Sequence, residues 1–329
     1  MKIKIKTRNG DEFFHDITTP PYEVGGEGEI YPINSSRYGE CFLKIYLKSE
    51  KALSNKRKIE FLFTHKAPFE HENIKYCWPI GIASKEDGTF CGFMMECAIK
   101  DSQCLTILSN YNIGDDLSSI GGDWNRLYNL GTKSGLRNRL RLLSNLARAI
   151  SGLHKTDNYC LVDLKPENIF ITSDAKISII DIDSMQVKTP NLFYKAAAFT
   201  PNYFPAEAYT SWKNELPQKK DCDIFAFACC AYMILTGTHP YTNVILQEPY
   251  QIDDYNLISS RIKEGLYLRG AKSKYIKRVN PIYDLHYRFD LLPKCVQNLF
   301  NETFNNIKRP SIEDWRIGLR CGFKDIDIR

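Results

Sequence analysis

The run Asp163-Leu164-Lys165-Pro166-Glu167-Asn168 places a carboxylate, an ammonium two residues on and an amide five residues on within one short stretch. Ile179-Ile180-Asp181-Ile182-Asp183 follows, its first acid thirteen residues after Asn168 (181 − 168). These are the groups that phosphoryl transfer needs: a carboxylate to orient an incoming hydroxyl, an ammonium to neutralise the moving phosphate, and amide and carboxylate oxygens to hold Mg2+. A polar turn between two strands with an incidental acidic pair is the plain alternative, but it does not call for four polar positions in register. Upstream, Lys44 stands inside the apolar run Cys41-Phe42-Leu43-Lys44-Ile45-Tyr46, and Gly25-Gly26-Glu27-Gly28 could let backbone amides approach a phosphate. Alone, each of these has an ordinary reading, an edge lysine and a hairpin turn.

Two kinds of element must position these groups. Residues 1 to about 98 read as short β-type runs divided by Gly, Asn and Ser: Phe13-Phe14, Tyr22 to Val24, Ile30-Tyr31, Cys41 to Tyr46, Trp78 to Ala83 and Phe90 to Met95. The opening Met1-Lys-Ile-Lys-Ile-Lys alternates charge with isoleucine and predicts another strand. One segment departs from this pattern. Leu53, Ile59, Leu62 and Phe63 recur near helical spacing, which predicts a helix over about 51–64 with Ser49 as its N-cap. From about 136 the pattern turns helical, with Leu140, Leu143, Leu146, Ala147, Ile150 and Leu153 on one face of 136–154. Residues 222–236 are apolar nearly all round and predict a buried central helix. Two amphipathic helices are expected over 291–304 and, after Pro310, over 312–319. Gly114, Gly121, Gly122, Gly131 and Gly135 mark 98–135 as a loose insertion with a short helix.

Composition narrows the class without naming the function. With 43% apolar and 25% charged residues in 329, the chain is neither disordered throughout nor fibrous. The longest strongly apolar run, Ile224 to Leu235, is far short of the roughly 20 residues that span a bilayer. The N-terminus lacks the apolar core of a signal peptide, so a cytoplasmic location and no membrane partner are expected. Eleven cysteines include no Cys-x-x-Cys pair, which favours reduced thiols over disulfides or zinc. The net charge of +5 is mild, and the basic cluster Lys272, Lys274, Lys277 and Arg278 reads as a solvated face rather than a strong nucleic-acid signal.

The stretch 163–183 resembles the catalytic loop and metal motif of eukaryotic-like (Hanks-type) serine/threonine protein kinases, and the resemblance runs over most of the chain. In the family pattern HRDxKxxN, Asp163, Lys165 and Asn168 match while Leu161 and Val162 replace histidine and arginine; the family's DFG stands here as Asp181-Ile182-Asp183. Val24 to Tyr31 looks like the glycine-rich loop, with Tyr31 where a third glycine is usual. Cys41 to Tyr46 is similar to the strand whose lysine contacts the α- and β-phosphates. Thr200 to Glu207 resembles the segment ending in APE, Asp223 to Ala228 the central helix, and Arg309 the late arginine that pairs with the APE-type glutamate, here Glu207. Asp181 to Ser184, Trp78-Pro79 and Gly92 to Met95 look closest to a bacterial or phage subgroup.

The resemblance implies an α+β, two-lobed kinase fold, with a β-rich lobe over 1–98 and a helical lobe over 99–329 that includes an activation segment at 181–207. It implies transfer of the ATP γ-phosphoryl group to Ser or Thr hydroxyls of protein substrates with Mg2+, or Mn2+ in its place. Asp163 would orient the nucleophile and Lys165 stabilise transferring charge, while Asn168 and Asp181 bind metal, with Asp183 a further candidate. Lys44 would position phosphates, with Glu60 as its helix partner and Glu50 as the alternative. Gly25, Gly26 and Gly28 would shape the loop above them. Met95 would be the gatekeeper, and Glu96 to Ala98 the adenine-facing hinge. No domain is expected beyond the segment following Arg309. The competing readings are a kinase-like phosphotransferase for a small molecule and a non-catalytic nucleotide-binding scaffold.

Overall fold

The alternating start of the chain forms strand β1 (Lys2–Thr7), with Ile3 and Ile5 fully buried. A computed structural model describes residues 1–35, 38–109 and 117–328; Gly114 lies outside them. The described chain falls into two compact units, one of residues 1–70, 75–100 and 178–183, the other of residues 71–74, 101–177 and 184–329.

The first unit is β-rich. After β1 come β2 (Glu12–Asp16), β3 (Glu23–Val24), β4 (Gly28–Ser35), β5 (Gly39–Tyr46), helix α1 (Ser49–Thr64), the short β6 (Ile74–Tyr76, whose first residue belongs to the second unit), β7 (Pro79–Lys85) and β8 (Phe90–Glu96). Seven of these strands form one sheet in the order β2-β1-β7-β8-β5-β4-β3, each neighbouring pair antiparallel. The two-residue period of β5 sorts its side chains. Cys41, Leu43 and Ile45 enter one core with Ile3, Ile5, Tyr31, Ile33 and Met94; Phe42 and Tyr46 join a second with Ala52 and Ile59 of α1, Phe90, Phe93 and Met95. Lys44 therefore points to the face that α1 covers. The helix is tied down at its end by Trp78, whose indole N–H donates to the carbonyls of Leu62 and His65 at 2.8 Å each.

The inward face of α1 differs from the expected one. Leu53 is 74% exposed, and the buried residues are Ala52, Asn55, Lys58, Ile59 and Leu62. Ile59 and Leu62 set the face, and the positions one turn before them, Asn55 and Lys58, must share it. Ser49 is the first helical residue rather than the cap: Lys48 occupies the cap position, with no side-chain cap bond.

Gly92 fixes the spacing of β5 and β8. A Cβ there would lie 1.9 Å from the Lys44 carbonyl oxygen and 3.1 Å from Ile45 Cα, both backbone atoms that cannot move without parting the strands. Gly92→Ala is expected to cost about 3 kcal/mol of stability, read as a lower denaturant midpoint; an unchanged midpoint would show that the strand pairing is looser than described.

The second unit is helical. It holds β9 (Gln103–Cys104), α2 (Trp124–Tyr128), α3 (Lys133–His154), β10 (Tyr159–Cys160), β11 (Ile169–Ile171), β12 (Ile177–Ile179, whose last two residues belong to the first unit), β13 (Gln186–Lys188) and β14 (Phe193–Tyr194). The helices α4 (Ala208–Lys213), α5 (Asp221–Thr236), α6 (Ile258–Glu264), α7 (Tyr287–Asp290), α8 (Lys294–Asn305) and α9 (Ile312–Ile328) follow. The predicted face of α3 is buried throughout, and Thr132 caps the helix by accepting from the Gly135 amide. Between Asp221 and Thr236 only Asp221 and Met233 are not buried, so α5 forms the centre of this unit. Tyr232 of this helix meets Tyr267 and Phe300 edge to face, and Tyr241 with Phe304 and Phe300 with Trp315 pack in the same way. All eleven cysteines are free thiols. In the basic cluster, Lys272 pairs with Glu264, and Arg278 with Asp284 and Asp290.

Candidate active site

In the first unit the predicted residues Lys44, Asp181 and Asp183 meet. Lys44 Nζ donates to Asp181 Oδ1 at 2.9 Å and to both oxygens of Asp183, at 2.9 and 2.8 Å. Tyr46 Oη, two residues along the same strand and hence on the same face, donates to Asp183 Oδ2 at 3.1 Å. The Lys44 side chain is 8% exposed and that of Asp183 only 1%, whereas Asp181 keeps 33%. Burial works against the Lys44 ammonium, but the Asp183 and Asp181 carboxylates more than reverse this, so its pKa stands well above the ordinary value. Burial also pushes the Asp183 carboxyl upward, and Lys44, in contact with both oxygens, opposes this. Asp181 has φ 57°, in the left-handed region that residues with a Cβ rarely adopt. Such an angle at a carboxylate of the site is local strain of the kind that functional loops hold.

Glu60 is not the partner of Lys44. It stands on the solvent side of α1, 3.9 Å from Lys56 one turn earlier, and Glu50 is exposed as well. The buried face of the helix carries Lys58 instead, 2% exposed. Burial pulls the Lys58 pKa down to about 8, with Asp183 the largest attraction opposing it. Sequence reasoning missed Lys58 and Tyr46. The signals were present: Lys58 lies four residues before Leu62, and Tyr46 two after Lys44.

The three loop glycines have different reasons to be there. A Cβ on Gly28 would meet the Ile45 carbonyl oxygen at 2.7 Å, so glycine is required for β4 to approach β5. Gly26 has open space around it, and the Gly25 amide closes the turn on the Gly28 carbonyl at 2.9 Å. Met95 is 9% exposed in the core under α1. Glu96, its carboxyl pushed up by burial, donates its amide to the Trp78 carbonyl, and Ala98 follows half-buried.

In the second unit, Asp163, Lys165 and Asn168 come together with Thr200. Thr200 Oγ1 donates to Asp163 Oδ1 at 2.6 Å, Lys165 Nζ lies 3.0 Å from Asp163 Oδ2, and Lys165 Nζ donates to Thr200 Oγ1 at 3.1 Å. Asn168 Nδ2 donates to the Asp163 carbonyl at 2.9 Å, fixing the amide across the loop. The loop is tight. The Asp163 amide donates to the Leu161 carbonyl at 2.7 Å around Val162, whose φ is 64°. That is a γ-turn of the strained hand at a β-branched residue, an arrangement costing about 1–3 kcal/mol unless its surroundings enforce it. Asp223 of α5 enforces it, accepting from the Leu161 and Val162 amides at 2.8 and 2.7 Å and from His154 Nε2 at 2.8 Å.

Thr200 is held from its own side. Phe199 stacks on Phe204 at 4.1 Å and meets Trp212 and Tyr209 edge to face. Past it, His239 Nε2 donates to the Asn202 carbonyl at 3.0 Å while Nδ1 accepts from the Tyr241 amide, a pattern only the neutral ring satisfies. Burial lowers its pKa from 6.5 to about 4. An unfolded chain thus binds a proton near pH 6.5 that the folded chain refuses until about pH 4, so stability falls with acidity across that window. The loss is on the order of 3 kcal/mol at 1.36 kcal/mol per unit. Denaturation curves recorded across this range should show a shallower dependence for His239→Gln; equal slopes would contradict the neutral ring. Glu207 receives the Arg309 guanidinium, which also lies over the Phe225 ring at 5.2 Å.

Among the described residues, no three His, Cys, Asp or Glu side chains gather as a metal cluster within hand. Taken separately, the first unit offers a partly exposed carboxylate at Asp181 and the second the Asn168 amide, each a hard-oxygen group of the kind that Mg2+ takes. No helix among the described residues is long and apolar enough to cross a membrane.

A family model described as protein kinase domain matches residues 99–306, more than half of the chain. The chain is 28% identical over 151 residues to the SNF1-related protein kinase catalytic subunit alpha KIN12 of Arabidopsis thaliana, covering 45% of this chain and 25% of that protein. It is 24% identical over 252 residues to Kinase suppressor of Ras A of Caenorhabditis elegans, covering 72% and 29%. A third relative, 30% identical over 122 residues (36% and 18%), is the inactive serine/threonine-protein kinase PLK5 of Mus musculus. The matched region spans less than a third of the length of each of these relatives.

Proposed function

The chain belongs to the protein kinase family, and on that premise we propose that it transfers the γ-phosphoryl group of ATP, with Mg2+, to serine or threonine hydroxyls of protein substrates. The observation that carries this reading is the hydrogen-bonded ring of Asp163, Lys165 and Thr200. Its carboxylate is of the kind that accepts a hydroxyl proton, its ammonium of the kind that neutralises a phosphoryl oxygen, and Thr200 holds both in place. In this reading Asn168 and Asp181 supply oxygens to the metal and Lys44 holds the α- and β-phosphates. Gly25, Gly26 and Gly28 shape the turn beside them. Met95, Glu96 and Ala98 border the adenine. Residues 1–98 form the lobe of the nucleotide-binding sheet, and 99–329 the lobe that carries the catalytic loop and the activation segment.

Incubation with radiolabelled ATP, Mg2+ and generic protein acceptors, followed by phosphoamino-acid analysis, tests it. Label on serine or threonine, absent from an Asp163→Asn control, is the expected result. Label found only on small molecules would reassign the acceptor. ATP binding without transfer would make the chain a non-catalytic scaffold; one relative, PLK5, is itself named inactive.

A further inference from the structure

We propose that Asp183 is the positioning residue of Lys44, and that Lys58 on α1 is a second buried cation that anchors Asp183, so that the carboxylate setting the phosphate-binding lysine comes from the loop after β12 and not from the helix. The assignment of a phosphate role to Lys44 rests on the function proposed above; the ion pairing itself does not.

Three observations carry it. The Lys44 ammonium contacts both Asp183 oxygens, at 2.9 and 2.8 Å, while meeting only one oxygen of Asp181. Charge-assisted bonds of this length between groups so deeply buried are the strong kind, and they define a direction for the lysine. Second, α1 offers no carboxylate to Lys44: its inward face is Ala52, Asn55, Lys58, Ile59 and Leu62, and Glu50 and Glu60 stand outside. Third, that face buries a lysine, 2% exposed, whose strongest attraction is Asp183. Two ammoniums buried near one another are tolerable only with carboxylates among them. Asp183 thus bonds Lys44 and the Tyr46 hydroxyl, Lys58 is buried on the inward face of α1, and Asp181 is left partly exposed for other work.

The arrangement joins helix to loop with the signs exchanged: the helix brings the cation and the loop brings the anion. It also gives a reason for an acid where a glycine would leave the loop free to change conformation. Asp183 is bonded by Lys44 and Tyr46, and Asp181 two residues earlier stands in its left-handed state.

Two measurements test the proposal. The first uses protein without nucleotide: a double-mutant cycle of Asp183→Asn and Lys58→Met, both close in size to the originals, followed by denaturant unfolding. The effect of Lys58→Met on the unfolding constant should differ by about tenfold or more according to whether Asp183 is present. Additivity within about twofold overturns the Lys58 anchor. The second is titration with ATP and Mg2+ and steady-state kinetics. Asp183→Asn should weaken ATP binding about tenfold or more, in KM more than in kcat, and Asp183→Gly combined with Lys58→Glu, which moves the carboxylate to the helix, should recover most of the loss. A lowered melting temperature with unchanged ATP affinity would make Asp183 merely structural and overturn the positioning role. A wild-type protein that handles no ATP overturns the kinase reading, and the unfolding cycle still decides the ion pair.

Discussion

Asp163→Asn is expected to lower turnover at least about a thousandfold, within the range that a positioned general base contributes, while leaving ATP affinity near that of the wild type. The substitution keeps the size and planarity of the side chain. It removes the charge that accepts the Thr200 hydroxyl at 2.6 Å and pairs with Lys165 at 3.0 Å. An amide can still accept from Thr200 through its oxygen, but its nitrogen then faces the Lys165 ammonium, donor against donor. The lysine must turn away, and the loop loses both a proton acceptor and the set of its neighbouring cation. Steady-state kinetics with a protein acceptor, beside ATP titration and a thermal melt, separates chemistry from folding. Turnover within about tenfold of wild type, in a folded variant, would remove Asp163 from the reaction.

Much of this was legible in the order of residues, and the exceptions share a cause. The alternation of β1 and the helical face of α3 are local patterns, set by neighbours two to four positions away, and both appear as read. The groups at 163, 165 and 168 lie within one loop, so type and spacing sufficed to single them out. The partner of Lys44 was not legible, because the contact joins residues 139 apart and a helix glutamate was the nearer candidate. Leu53 was misread for a related reason: an apolar residue at roughly the right spacing looked inward, whereas the tertiary contacts of Ile59 and Leu62 turn the helix so that Lys58 is buried. A lysine in such a place is exceptional by type, and only its carboxylate neighbours explain it. The two- and three-residue strands β6 and β9 to β14 carry too few residues for any period to show.

The largest effect on stability is expected at Asp223, which binds no reacting group. Asp223→Ala should cost about 3–5 kcal/mol, the range for removing one partner of a buried charged network, and lower the melting temperature by on the order of 10 °C. The carboxylate is fully buried in α5 and accepts three bonds, from the Leu161 and Val162 amides and from His154 Nε2. Alanine leaves two backbone N–H groups without acceptors in a site that water does not reach, a penalty of about 1–3 kcal/mol for each such group. It also releases the Val162 turn. With φ at 64° on a β-branched residue, that turn has no local reason to persist, and relaxation to an extended angle moves the next residue, Asp163. Loss of turnover should therefore accompany loss of stability, and Asp223→Asn should behave similarly, because its amide nitrogen would present a donor to N–H groups that need an acceptor. Chemical denaturation gives the stability, and turnover measured well below the melting temperature tests the coupling to the loop. An Asp223→Ala protein within about 1 kcal/mol of wild type would mean that the strained turn is held by other contacts. Full turnover in a destabilised variant would mean that Asp163 keeps its place without it.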